Sequence, residues 1–219
     1  MTELEALSRR YSGHEPGLLG ARHSYAVLCP LVERDGDLHL LFEVRAAGLR
    51  QEGEVCFPGG RMEPRETAER CALRETWEEL AIPSDKIQVL GRLDFIAHRA
   101  NFIMWPVLGL VEEAALAACM RPSPAEVEET FQIPLSHLLS TRPLEYDYQL
   151  MPKTDPQFPY ELIGIPRDYR WQPGRESVPV YPWQGHTVWG LTGRITRHLV
   201  SLLKELEEGE SPASDGAKR

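Results

Sequence analysis

The chain has 219 residues, and its 33 acidic against 24 basic side chains give a formal net charge of −9. This balance argues against a nucleic-acid-binding protein, because a phosphate backbone is held by clustered lysine and arginine side chains. With 42% hydrophobic and 26% charged residues, the composition is that of a globular protein with one large domain, with or without short appendages.

The sequence also argues against a membrane protein. No apolar run approaches the roughly 18 residues that a transmembrane helix needs, and residues 1–10 lack the apolar stretch of a signal peptide. The four cysteines include no Cys-x-x-Cys pair, which argues against a zinc or redox motif and fits a reducing compartment. We therefore expect a cytoplasmic protein whose cysteines are buried as small apolar side chains.

The first elements of the chain are a short helix and a hairpin. A short helix over 4–10 and a loop are expected within the N-terminal segment 1–22. Two apolar runs, 24–33 and 38–45, follow on either side of Asp35-Gly36, a pair typical of tight hairpin turns. The sequence therefore predicts two paired antiparallel strands.

The middle of the chain is predicted to alternate strands and helices. The strongest helix candidate covers 67–80, and Pro83 stops it. The other predicted elements are a loop over 46–62 with a short strand at 54–57, strands at 87–94 and 102–111, a helix at 112–120, a strand ending at Pro134 and a short helix at 136–139.

The C-terminal third is read as an irregular segment followed by a helix. Residues 142–182 hold eight prolines and many aromatics without periodicity, so we expect a packed but irregular excursion. Its aromatic residues fit either substrate contacts or a homodimer interface. Residues 189–207 return to helical periodicity, and the polar tail 208–219 is expected to be disordered.

Three glutamates share one face of the helix predicted over 67–80. On a helical wheel, Glu75, Glu78 and Glu79 lie opposite an apolar face, which is formed by Leu73, Trp77 and Leu80. The small residues Ala68 and Cys71 precede the glutamates on their face, so no bulky side chain is expected to block the approach to the carboxylates.

Two interpretations of this acidic face stay open from periodicity alone. Carboxylates at this spacing repel one another, and most such faces are simply solvated, here with Arg74 one turn before Glu78 to weaken the repulsion. Alternatively, the carboxylates bind Mg2+ or Mn2+, which prefer oxygen ligands and bridge to substrate phosphates.

The stretch from Gly60 to Ile82 resembles the Nudix box, G-x5-E-x7-R-E-U-x-E-E-x-G-U, where U is an apolar residue. Thr76 stands at an apolar position of this pattern and Ala81 at its glycine. The charged positions all match at the right spacing, which favours the metal site over the solvated face. The matching residues are Gly60, Glu66, Arg74, Glu75, Glu78 and Glu79.

Two further segments resemble the coenzyme A pyrophosphatases among Nudix hydrolases. Residues 41–60 are similar to the pattern L-L-T-x-R-[S/A]-x3-R-x3-G-x3-F-P-G-G, with one residue fewer between Arg50 and Gly53. Residues 189–195 resemble the W-G-L-T-A-R-I stretch near the C-terminus of the same subgroup. Together the resemblance extends from about residue 24 to residue 203.

The resemblance implies a single α/β domain over 23–207, a Nudix-type α/β/α sandwich with a mixed sheet. It also implies Mg2+ or Mn2+ held by Glu75, Glu78 and Glu79, with the carbonyl of Gly59 as an additional ligand. The attacking water would be oriented or deprotonated by one of these glutamates or by a distal glutamate. The distal candidates are Glu126, Glu128 and Glu129.

For the substrate side, the resemblance implies contacts near the glycine-rich loop. Arg45 and Arg50 either bind phosphate oxygens through their guanidinium groups or are exposed surface arginines. Phe57 and Gly60 complete the expected substrate-binding residues, and Arg74 is expected to orient Glu66 or Glu78 at the catalytic site.

The implied reaction is the hydrolysis of coenzyme A, or a derivative, to 4′-phosphopantetheine and adenosine 3′,5′-bisphosphate. A small, strongly anionic nucleotide substrate suits an acidic protein if divalent cations lie between the two. The alternatives are a Nudix pyrophosphatase for ADP-ribose or another nucleoside diphosphate derivative, and a non-catalytic ligand-sensing domain. The complete set of box glutamates disfavours the sensing domain.

Overall fold

A computed structural model describes residues 2–14 and 17–210 of the chain. The helices are α1 (Glu3–Tyr11), α2 (Ala68–Leu80), α3 (Glu113–Cys119), α4 (Leu135–Ser140) and α5 (Gly190–Glu210), with a short 3-10 helix at Ser84–Lys86. The strands are β1 (His23–Arg34), β2 (Asp37–Arg45), β3 (Val55–Cys56), β4 (Gly59–Arg61), β5 (Ile87–Arg92), β6 (Ile96–His98), β7 (Phe102–Val111), β8 (Val127–Pro134), β9 (Leu144–Leu150), β10 (Gly174–Trp183) and β11 (His186–Val188).

The central sheet is mixed, as expected. Its main order is β3-β2-β1-β7-β5, and β4, β6 and β8 pair with β1, β7 and β2 respectively. Strands β1 and β7 run parallel, with His23 opposite Phe102, whereas β1 is antiparallel to both β2 and β4. The tight turn at Asp35-Gly36 joins β1 to β2 with φ of 53° and 79°, as a hairpin turn with two left-handed residues requires.

Alternating side chains of the sheet pack into two hydrophobic cores, one on each face of the sheet. In β1, Ala26, Leu28 and Val32 join the core under α2 and α3. Val27, Cys29 and Leu31 join the core under α4 and α5. Full burial of an aliphatic side chain of this kind contributes about 1.5–3 kcal/mol to stability. With helices on both faces of a mixed sheet, the expected α/β/α sandwich is confirmed.

Helix α2 begins where the sequence predicts, but its buried face differs in part from the predicted one. Thr67 caps the helix by accepting a hydrogen bond from the Arg70 amide at 3.3 Å. Of the predicted apolar face, Leu80 is buried and Leu73 packs against the core, but the prediction is wrong for Trp77, which is 58% exposed. The side chains that face the sheet are Ala68, Cys71, Ala72, Thr76, Glu79 and Leu80.

The small residues Ala68 and Cys71 of α2 therefore have a structural role that differs from the expected one. They do not open a path to the carboxylates, because Ala68 and Cys71 are buried among the β1 side chains. They instead let the helix lie close to the sheet, and this close packing carries Glu79 into the interior. Thr76, at an apolar position of the box, is fully buried and donates its hydroxyl to the Ala72 carbonyl at 2.7 Å.

The segment predicted to be irregular contains regular structure. Strands β9 and β10 form an antiparallel sheet with β11, so within the segment only 142–143 and 151–173 lack strands. Prolines at 179 and 182 of β10 hide the alternation that would reveal a strand. At the C-terminus, α5 extends to residue 210, which corrects the tail predicted from 208; residues 211–219 lie outside the described part.

In the described part of the chain, no helix is long and apolar enough to cross a membrane. All four cysteines are free. Cys29 and Cys71 are buried as expected, whereas Cys56 and Cys119 are half-buried, so the expectation of burial holds for two of the four.

The backbone conformation at the C-cap of α2 predicts that glycine at this position stabilises the fold. Ala81 adopts φ 57° and ψ 26°, a left-handed conformation that costs a residue with a Cβ about 1–2 kcal/mol. Ala81→Gly should stabilise the fold by about 0.5–1 kcal/mol after the added entropy of glycine in the unfolded chain, and should raise Tm by about 1–4 °C.

Thermal unfolding of the wild type and two variants checks this prediction. Ala117, exposed within α3, is the matched control, because Ala117→Gly should instead lower stability by about 1 kcal/mol. If Ala81→Gly destabilises as much as Ala117→Gly, the strain assigned to the C-cap is wrong.

Candidate functional site

Gly59 and Gly60 of β4, called the glycine-rich loop together with the turn before them, contact two of the box glutamates on α2. The backbone N–H of Gly59 donates a hydrogen bond to Glu79 Oε2 at 2.8 Å. A Cβ on Gly59 would lie 2.6 Å from the Cα of Val27, so only glycine lets the loop approach β1 this closely. A Cβ on Gly60 would lie 2.5 Å from Glu75 Oε2, so the Glu75 carboxylate occupies the space that a side chain there would fill.

Arg74 ties three box carboxylates together. Its Nε and Nη2 donate to the two oxygens of Glu66 at 2.9 and 3.1 Å, and its Nη1 donates to Glu75 at 2.8 Å and to Glu78 at 3.0 Å. The bidentate bond lowers the pKa of Glu66 and raises that of Arg74. Arg74 thus orients both Glu66 and Glu78, and Glu75 as well.

Glu79 lies inside the protein beside a second carboxylate, Glu43 of β2. Their exposed fractions are 5% and 1%. Burial is the largest cause that raises the pKa of each group; the negative charge of Glu43 raises the pKa of Glu79 further, and the charges of Glu126 and Glu75 raise that of Glu43. The hydrogen bond from the Gly59 amide opposes the shift at Glu79. Glu43 and Glu79, two carboxyl groups withdrawn from water beneath α2, are called the carboxylate pocket below.

Sequence reasoning missed Glu43. It stands within an apolar run of β2, and alternation places it on the same face as Leu41, which packs under α2. The sequence signal that could have identified Glu43 is a single carboxylate at a strand position that faces the core. An acidic side chain that a strand turns toward the core needs a partner or a ligand.

The structure separates the three distal glutamates. Glu126 lies in the turn before β8, and its charge adds to the burial effect that raises the pKa values of Glu43, Glu75 and Glu79. Glu129 is paired with Val44 across the strands, which places it on the opposite face of the sheet, and its Oε1 lies 3.7 Å from His186 Nδ1.

Glu128 is exposed and lies beside the register shift at Val44 and Arg45 that separates Glu129 from the turn. Of the three candidates, only Glu126 is shown close enough to the carboxylate pocket to affect its electrostatics within the described residues.

The two arginines before the box differ in their surroundings. Arg45 is half-buried at the end of β2, its Nε donates to the Arg50 carbonyl at 3.1 Å, and its charge lowers the pKa of Glu43 against the larger effect of burial. The Arg50 side chain is exposed on the loop. Arg45 thus shapes the loop beside the pocket, and Arg50 is free to reach outward.

Phe57 does not lie at a substrate-facing surface. Its ring is 3% exposed and stacks on Phe42 at 4.9 Å between centroids, and Phe42 stacks on Phe131 at 5.4 Å. The expected substrate contact through Phe57 is corrected to a core role, in which the ring anchors the glycine-rich loop. Gly60 likewise acts by leaving room for Glu75, and its carbonyl accepts a weak bond from the Cys71 thiol at 3.6 Å.

The segment 189–195 also has a structural role. The Thr192 hydroxyl, buried at the start of α5, donates to the Val55 carbonyl of β3 at 3.1 Å. A Cβ on Gly193 would lie 2.6 Å from the Pro179 carbonyl oxygen, which shows how closely α5 packs on β10. Arg194 pairs with Glu176 of β10 at 2.7 Å. This segment fixes α5 against the strand that leads into the glycine-rich loop.

The donor set fits a hard divalent cation. Carboxylate oxygens are the ligands that Mg2+ and Mn2+ prefer, and one buried oxygen of the pocket, Glu43 Oε2, has no hydrogen-bond partner among the described residues. In the same part of the chain, no three acidic, histidine or cysteine side chains already surround a common point. Arg74 holds the Glu75 and Glu78 carboxylates against its guanidinium.

Comparison with known proteins identifies the family. The NUDIX domain matches residues 22–153. The chain belongs to the Nudix family. It is 32% identical over 187 residues to Nudix hydrolase 3 of Caenorhabditis elegans, an alignment that covers 84% of this chain and 74% of the relative.

Two other relatives extend over similar lengths. The mitochondrial coenzyme A diphosphatase NUDT8 of Mus musculus is 35% identical, with 81% of this chain and 77% of the relative covered. An uncharacterized Nudix hydrolase, NudL, of Photorhabdus laumondii is 34% identical, with 84% and 86% covered. The protein is thus a Nudix hydrolase, a pyrophosphatase of nucleotide derivatives from a family that uses divalent metal cations.

Two expectations from the sequence stay predictions. The NUDT8 relative is named as mitochondrial, so a cytoplasmic location for this Nudix hydrolase is not established. A homodimer through the aromatic residues of 142–182 is likewise untested.

Alanine substitutions of Gly60 and Gly59 are expected to have different effects, the first mainly on activity and the second on stability. In Gly60→Ala, the new Cβ meets the end of the flexible Glu75 side chain, so the carboxylate must move. Stability should change by no more than about 1 kcal/mol, while hydrolysis of a nucleotide substrate falls at least about 100-fold.

Gly59→Ala is the matched variant, because its Cβ meets the backbone of β1, which cannot move aside. It should lower the free energy of unfolding by about 1–3 kcal/mol or more. Thermal unfolding and initial rates on both variants test the contrast. A fully active Gly60→Ala enzyme would show that the position of the Glu75 carboxylate does not matter to the reaction.

Proposed function

We propose that this Nudix hydrolase cleaves the pyrophosphate bond of coenzyme A or a coenzyme A derivative, with 4′-phosphopantetheine and adenosine 3′,5′-bisphosphate as products. The observation that carries the proposal is the convergence of Glu75 and Glu79 on the Gly59-Gly60 loop, directly after the segment that resembles coenzyme A pyrophosphatases. The mouse relative named as a coenzyme A diphosphatase, aligned over 81% of this chain, supports the choice of substrate.

The residues proposed to hold Mg2+ or Mn2+ are Glu75, Glu78 and Glu79, together with the carbonyl of Gly59. The donors are all oxygens, and Glu78 is the most exposed of the three side chains, at 45%, so it faces the side from which a substrate arrives. When bound, a divalent cation supplies neutralisation of charge on the pyrophosphate oxygens and lowers the pKa of a water molecule.

Arg74 is proposed as a positioning residue. Its guanidinium is fixed by the bidentate bond to Glu66, so the remaining Nη1 presents a constant donor to Glu75 and Glu78. This bond reduces the repulsion between the two carboxylates and limits their rotamers. Arg74 therefore acts on the reaction through the glutamates that it orients.

The phosphate groups of the substrate are proposed to meet Arg45 and Arg50. Coenzyme A carries a pyrophosphate and a 3′-phosphate, and a guanidinium group binds phosphate oxygens through two parallel N–H bonds. Arg50 has an exposed side chain, and Arg45 lies beside the carboxylate pocket. Their positive charges offset part of the repulsion between an acidic protein and an anionic substrate.

Glu126 is proposed as the group that orients or deprotonates the attacking water. It is exposed in the turn before β8, and its charge acts on each of the three carboxylates at 43, 75 and 79. An exposed carboxylate at the rim of a metal site accepts a proton from water without displacing a buried ligand.

The distal glutamates give a direct test of this assignment. Glu126→Gln should lower kcat by about 100- to 10,000-fold with little change in KM, since the amide keeps the shape of the side chain and loses its basicity. Glu128→Gln and Glu129→Gln should keep kcat within a few-fold of wild type, measured under saturating metal. A large kcat loss in Glu129→Gln with an active Glu126→Gln enzyme would contradict the assignment.

The substrate is tested with purified protein, Mg2+ or Mn2+, and either coenzyme A or ADP-ribose in 18O-labelled water. Mass analysis should show coenzyme A converted to the two expected products, with one 18O atom in one of them. Glu79→Gln should abolish the reaction with both metals. Coenzyme A left intact while ADP-ribose is rapidly cleaved would contradict the coenzyme A assignment, and turnover unchanged in Glu79→Gln would contradict the metal site.

A further inference from the structure

Glu43 is the one carboxylate of the pocket that the box does not supply. It lies near the C-terminal end of β2, opposite Cys56 of β3 on one side and Thr130 of β8 on the other. Residues directly opposite in antiparallel strands share a face, so all three side chains point toward α2. Glu43 therefore lies in the floor of the pocket, below the helix that carries Glu75 and Glu79.

The two oxygens of Glu43 have different surroundings. Oε1 accepts a hydrogen bond from the Cys56 thiol at 3.3 Å. Oε2 is fully buried and has no hydrogen-bond partner within the described part of the chain. Because the side chain is only 1% exposed, water does not compensate for the missing partner in the way it does at a surface.

The groups around Glu43 do not neutralise it. The charges of Glu126 and Glu75 act on Glu43, and the charge of Glu43 acts in turn on Glu79. Arg45 is the nearby cation, but its Nε is bonded to the Arg50 carbonyl and it makes no ion pair with Glu43 among the described residues. A buried carboxylate without a partner is strongly unfavourable, so this group is either protonated or neutralised by a bound cation.

On the basis of the metal site proposed above, we propose that Glu43 is a further ligand of that site and that its Oε2 contacts the divalent cation held by Glu79. Strand β2 does not require a carboxylate at position 43, because an apolar or hydroxyl side chain would fill the same space without the cost of removing a charged group from water. The thiol of Cys56 holds Oε1 and so leaves Oε2 as the free donor.

Mn2+ binding in the absence of substrate tests this ligand directly. The free Mn2+ signal in electron paramagnetic resonance gives the dissociation constant for the wild type, Glu43→Gln, Glu43→Asp and Glu79→Gln. Glu33→Gln is the matched control, because Glu33 is an exposed strand glutamate. Glu43→Gln should bind Mn2+ at least about 10-fold more weakly than wild type, and Glu33→Gln should bind with unchanged affinity.

Glu43→Asp separates ligation from distant charge. It keeps the charge but withdraws the carboxylate by one methylene, so a ligand role predicts weaker binding, whereas a charge effect alone predicts wild-type affinity. Thermal unfolding without metal shows whether each variant is folded, and the Mn2+-induced rise in Tm, smaller in both variants if Glu43 is a ligand, gives a second readout on the same samples.

The variants test the ligand role of Glu43 and the proposed metal site separately. Wild-type Mn2+ affinity in Glu43→Gln, or in Glu43→Asp, overturns the ligand role of Glu43 while the box site stands. Unchanged affinity in Glu79→Gln overturns the proposed metal site itself. Weakened affinity in Glu43→Gln, Glu43→Asp and Glu79→Gln, with Glu33→Gln unchanged, supports both.

Discussion

The structure depends on carboxylates that are brought together and partly removed from water. Glu79 and Glu43 are buried beneath α2, and the charge of Glu126 acts on both of them. The Arg74 guanidinium forms ion pairs only with the more exposed Glu75 and Glu78 of this group. Like charges in such a place destabilise a fold unless a counter-charge is present. Under the proposed function, a divalent cation would supply the two positive charges that this place lacks and would in turn attract the phosphate groups of the substrate.

Close packing creates this arrangement. Ala68 and Cys71 let α2 lie near β1, and Gly59 lets the loop approach the same strand. The approach puts the Gly59 amide within 2.8 Å of Glu79 and leaves the space at Gly60 for the Glu75 carboxylate. The aromatic stack beneath the loop and the bond from Thr192 to β3 hold the other side of the same segment. The site is therefore a product of the whole sandwich and not of the box helix alone.

Much of the fold and the box could be predicted because their signals are local. The hairpin turn at Asp35-Gly36, the extent of α2 and the spacing of its glutamates each depend on a few neighbouring residues. The exposure of Trp77 could not be predicted, because a helical wheel assigns the interior to large apolar side chains, while this helix meets the sheet mostly with small ones and with Leu80. Glu43 and the separation of Glu126 from Glu129 depend on strand register and face, which pair residues far apart in sequence.

The central claim is that these carboxylates converge on a divalent cation. Anomalous diffraction from crystals of the protein grown with Mn2+ tests it most directly, since the manganese position is found without assumptions about activity. The account predicts a strong anomalous peak bounded by Glu75, Glu78 and Glu79 at the glycine-rich loop, absent in crystals of Glu79→Gln. A well-ordered site without a peak at saturating Mn2+, or a peak confined to acidic residues elsewhere on the surface, would contradict it.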